Sequence, residues 1–217
     1  MLQKKINDCI QLIDVVQANK ERKEGNENAA KRNNRFFDAF TKFLLPILSS
    51  LNTIKSLQKF SFPEELIANL KKYITITETA LKTKSVVNPE GYYSNLAKLY
   101  SDFGNTWKDI IKVHDEALLG ELAILRLIQS DTKEIYQICT CINNMQNWPV
   151  TVDMVKLYNA ASARGKELLV EMKFDPEIKE FLQKVKDKQA SLLDLNDKIL
   201  NWIKEEQFES KFLLTVR

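Results

Sequence analysis

Histidine is almost missing from the 217 residues: His114 is the only one. Cys9, Cys139 and Cys141 are the only thiols. A zinc site needs several Cys or His at paired spacing, and a di-iron bundle needs Glu-x-x-His pairs. Neither pattern occurs. The five glycines are dispersed, so no Gly-x-Gly-x-x-Gly turn, phosphate-cradling loop or Gly-x-Ser-x-Gly elbow can be assembled locally. These absences predict a non-enzymatic protein with no metal, no cofactor and no small-molecule ligand. The odd cysteine count, at scattered spacing, argues against a disulfide framework and fits the reducing cytoplasm.

Long apolar runs are missing too. No stretch reaches the roughly 20 residues that cross a bilayer. Asp8 and Asp14 interrupt what would be the apolar region of a signal peptide, so none is expected. Charge of one sign is also lacking. The 32 basic and 29 acidic side chains leave +3, too balanced to mark a nucleic-acid binder by itself.

Apolar residues at helical spacing fill the chain. Residues 117–128, Ala-Leu-Leu-Gly-Glu-Leu-Ala-Ile-Leu-Arg-Leu-Ile, are apolar or glycine at ten of twelve positions. Such a helix is enclosed by others. Around this waist, Tyr92, Leu96, Leu99, Phe103, Trp107, Ile110 and His114 follow steps of three or four. Leu118, Leu122, Leu125, Gln129, Thr132, Ile135, Cys139 and Ile142 continue the phase, a coiled-coil-like seam. Unbroken, residues 90–146 would span about 85 Å at ~1.5 Å per residue. Gly104-Asn105 is the expected kink.

Prolines punctuate the rest. Pro63, Pro89, Pro149 and Pro176 each precede a helical pattern, where a first-turn proline is tolerated. Pro46 falls inside one and should bend it. Helices are expected at about 2–22, 29–58, 63–83, 151–172 and from Pro176, with a break near Gly25. Residues 73–77 have strand propensity, but their flanks favour helix. Asp175 and Asn196 are N-cap candidates, and residues 191–196 should interrupt the last helices. The small residues Ala160, Ala161, Ala163 and Gly165 would let a neighbouring backbone approach. The expected fold class is all-α. It is an elongated antiparallel bundle of five to six helices around one long central helix, 90–146. It forms a single domain, 1–217, with 150–217 as a smaller helical pack at one end.

Glu121 and Arg126 interrupt the waist, and burying a charge is costly unless it is paired. With His114 they are the buried polar candidates. Solvent-facing or paired positions are the favoured reading for the two charges, and a core-edge position for His114. Asp115 and Glu116 are expected on other faces. The tract 20–35 carries Lys20, Arg22, Lys23, Lys31, Arg32 and Arg35 against three glutamates. It could meet phosphates in a salt-sensitive way, although a solvated helix tip is the favoured reading. The aromatic set Tyr92, Tyr93, Tyr100, Phe103 and Trp107 follows helical spacing and is assigned to the core. Phe212, Leu213, Leu214 and Val216 form an apolar tail that could add to a partner's sheet edge or pack on its own bundle.

The leading expectation is therefore a helical assembly or adaptor subunit that binds another protein, a second copy or a different chain. The alternative is a nucleic-acid-binding accessory protein using the 20–35 tract. A membrane-surface bundle dimer comes third, suggested only by the long helices; Leu2 to Val16, whose polar face mixes Asp8 and Asp14 with Lys4 and Lys5, reads better as an ordinary bundle helix than as an interfacial one. An enzyme using Glu121 comes last.

Overall fold

A computed structural model describes residues 34–57, 60–83, 88–129, 131–172, 175–208, 210 and 212. The expected helix at 2–22 and the break near Gly25 lie outside them. The fold is all-α, with seven helices and no strand among the described residues. Helix α1 is described from residue 34 and passes through a π-helical turn, Phe40–Leu44, and an α-helical run, Leu45–Ile54, into a 3-10 end, Lys55–Leu57. Then come α2 (Glu64–Thr83), α3 (Pro89–Ile128), α4 (Lys133–Asn144), α5 (Val152–Met172), α6 (Pro176–Lys186), a 3-10 turn (Leu192–Asp194) and α7 (Asp197–Glu205).

Three local outcomes have clear causes. The turn before Pro46 is widened, with the Leu45 N–H donating to the Phe40 carbonyl five residues back. Proline has no N–H and its ring crowds the carbonyl four residues earlier; a wide turn relieves both. The threonine-rich middle of α2 is helical, and Thr75, Thr77 and Thr79 each donate to the carbonyl four residues back, at 3.1, 2.7 and 2.9 Å. The bonds satisfy the hydroxyls within the helix, and the apolar face of Leu66, Leu70, Ile74 and Leu81 buried in the unit outweighs the strand propensity of the β-branched run. The expected helix over 90–146 is two helices. It continues unbroken through Gly104 and ends at Ile128, and α4 begins at Lys133, whose N–H is taken by the Asp131 carboxylate at 2.9 Å.

The chain groups into two compact units. The first holds α1, α2, α3 up to Ile111, and Gln146–Val155. Phe36, Phe40, Leu44, Ile47 and Leu48 of α1 meet Leu70 and Ile74 of α2 and Tyr92, Leu96 and Phe103 of α3 in one apolar cluster. The buried Thr77 hydroxyl is satisfied by the Tyr92 hydroxyl at 2.5 Å and the Tyr73 carbonyl. Trp148 stacks on Phe103, centroids 6.1 Å apart, and covers Gly104.

The second unit holds Lys112–Met145 and the chain from Lys156 onward. Its core takes Leu122, Leu125 and Ile128 from α3, Ile135 and Ile142 from α4, Leu168 from α5, Leu182 from α6 and Ile203 from α7. Of the small residues on α5, Gly165 makes the close approach: a side chain there would meet Leu122 at 3.3 Å and Ile138 at 3.4 Å. Ala160 and Ala163 face solvent.

Candidate functional site

None of the three buried polar candidates, Glu121, Arg126 and His114, is fully buried. Arg126 and His114 are exposed, and Glu121 is half-buried in an ion pair with Lys179 of α6. Asp115 is the buried one, at 2% exposure. The reason is phase. From Trp107 the buried stripe advances by four, to Ile111 and then Asp115, where the sequence reading took three, to Ile110, and then four, to His114.

Asp115 is held from two helices. Its Oδ1 accepts from the Tyr158 hydroxyl of α5 at 2.8 Å, and His114 Nδ1 lies 2.9 Å from the same oxygen. His114 Nδ1 is also 3.2 Å from the Tyr158 hydroxyl. Burial first, and then the bonded carboxylate, push the Tyr158 hydroxyl above the usual tyrosine range, so it remains a protonated donor. Asp115 Oδ2 is buried with no hydrogen-bond partner among the described residues. The cluster therefore orders polar groups between two helices. A tyrosine held protonated is a poor nucleophile or base. Among the described residues no group of three or more His, Cys, Asp or Glu is placed to hold a metal.

A second feature lies between α6 and α7. Helix α6 closes with Lys188 at a φ of 58°, and the Gln189 and Ala190 N–H groups both reach the Lys184 carbonyl, at 2.8 and 3.1 Å. A capping box follows. The Asp194 carboxylate accepts from the N–H and the hydroxyl of Ser191, both at 2.8 Å, while Lys184 Nζ bonds its other oxygen at 2.8 Å. Lys184 first, and then the Ser191 donors, hold the Asp194 carboxyl down to about 2. On the far side Asn196 caps α7 by accepting from the Ile199 N–H at 3.0 Å. Lys198 ties α7 back to Asp175 and Glu177. Inside this frame Leu192 is 63% exposed and Leu193 97%. A slack loop could fold two leucines inward; this one is clamped from both ends with the pair outside.

The remaining expected contacts divide by position. Lys20, Arg22, Lys23, Lys31 and Arg32 lie outside the described residues. Arg35 is used within the first unit: its Nε donates to Glu90 at 3.2 Å, and its guanidinium sits 3.9 Å from the Tyr93 ring centroid. Leu213, Leu214 and Val216 also lie outside the described residues. Phe212 is half-buried against Phe181 and Trp202 of its own unit, at 5.7 and 6.4 Å. The aromatic set is core, with Tyr92, Phe103 and Trp107 buried. Sequence reasoning passed over Asp115 and the leucine pair. The second had a written signal: Ser191 and Asp194 are spaced as a capping box around two adjacent leucines.

These features define an all-α protein of two helical units, with a buried polar cluster and a rigid apolar turn in the second. No helix among the described residues is long and apolar enough to cross a membrane. No family model, curated protein or solved structure matches the chain.

Proposed function

We propose that this chain is a non-enzymatic, cytoplasmic helical subunit that binds another protein through the turn bearing Leu192 and Leu193. The observation that carries the reading is the exposure of two adjacent leucines on a backbone fixed by Asp194, Ser191 and Lys184. Fully burying a leucine is worth about 1.5–3 kcal/mol, so leaving two in water at a fixed site is a cost that a partner would remove. Preorganisation adds to this, because the turn has little conformational freedom left to lose on binding. Two leucines are too small for a whole interface, which needs about 800 Å² per side; they act as its anchor. The polar groups of the second unit support a structural role, since Glu121 is paired with Lys179 and Asp115 accepts from Tyr158. Free Cys139 and Cys141 fit a reducing compartment.

The test pairs light scattering with affinity purification from the source cells. It uses the full chain, a Leu192→Ser plus Leu193→Ser variant, and Val170→Ser as a control on another exposed apolar residue of the second unit. The reading expects a defined protein at fixed stoichiometry with the wild-type chain and the control, lost in the double variant at an unchanged melting temperature. A strict monomer with no co-purifying protein, or equal recovery with the double variant, would overturn it.

A further inference from the structure

We draw no further inference here: the strongest candidate, the clamped turn between α6 and α7 with its exposed leucine pair, belongs to the proposal above, and nothing in the structure shows what covers it.

Discussion

The Ser50 hydroxyl accepts a hydrogen bond from the Val150 backbone N–H at 2.9 Å, across a hundred residues of sequence and inside the first unit. Both residues are buried, at 0% and 2% exposure. The bond fixes the segment after α4 to the side of α1, next to the place where Trp148 covers Gly104.

Removing that acceptor strands a buried amide. Ser50→Ala should destabilise the protein by about 1–3 kcal/mol, the penalty of an unsatisfied buried donor. Urea unfolding followed by tryptophan fluorescence measures it. A loss within error of zero would mean that the Val150 amide finds another acceptor.

Two glycines of α3 should respond in opposite directions to the same change. Alanine favours a helix interior over glycine by about 1 kcal/mol. A Cβ on Gly120 would meet only the end of the Lys186 side chain, at 3.8 Å, so Gly120→Ala should raise the melting temperature. A Cβ on Gly104 would stand 3.3 Å from three atoms of Trp148, which cannot withdraw without breaking its stack on Phe103. Overpacking of that kind costs roughly 1–3 kcal/mol, so Gly104→Ala should lower the melting temperature. Calorimetry on the two variants decides it.

Tyr158 predicts an alkaline limit. Below about pH 10 its phenol is protonated in both folded and unfolded chains. Above that, the unfolded chain releases the proton while the folded one, with its hydroxyl pushed up by burial and Asp115, holds it. Stability is therefore fully present below pH 10 and is lost as pH rises toward the folded value. Tyr158→Phe should cost about 1–3 kcal/mol at neutral pH through the bond lost to Asp115. It should also flatten the alkaline slope. Tyr100, pushed up by burial, keeps part of that slope. Denaturant unfolding at a series of pH values from 8 to 11 checks both effects.

The clamp on the leucine turn titrates at the other end of the scale. The Asp194 carboxyl is held down to about 2, chiefly by Lys184. Its contribution is present above the ordinary carboxylate range and is lost as pH falls through about 2. Lys184→Met should move the midpoint up toward an ordinary carboxyl, read by carboxyl NMR titration. It should also speed amide exchange at Asp194 and Leu195, whose N–H groups close the turn.

Much of the fold was legible in the sequence, and each lapse has its own physical origin. Steps of three and four located α3 from Tyr92 to Trp107, and Asp175 and Asn196 do cap α6 and α7. The phase was lost at the next step because a reading by hydropathy avoids burying Asp115. Its donor Tyr158 is 43 residues away, and no local pattern announces such a partner. The end of α3 was missed for the opposite reason. Ser130-Asp131-Thr132 is a run of helix-capping residues, but Thr132 and Ile135 kept the apolar phase and masked it. Exposure is harder still to read: Leu192 and Leu193 look like core until the cap that turns them outward is recognised.

The wide turn at Phe40–Leu44 also sets what lengths the chain can tolerate. It holds one residue more than an α-helical turn would. Deleting one of its residues that is not buried, Thr41, Lys42 or Phe43, would let the turn close toward ordinary α-helical geometry. Phe36 and Ala39 would stay on the side of α1 that buries Ile47 and Leu48, and what is lost is the room the wide turn gives the Pro46 ring. In the regular run Leu45–Ile54 the same deletion would rotate the helix on one side by about 100° relative to the other, so the length of α1 is adjustable within the wide turn and fixed beyond it.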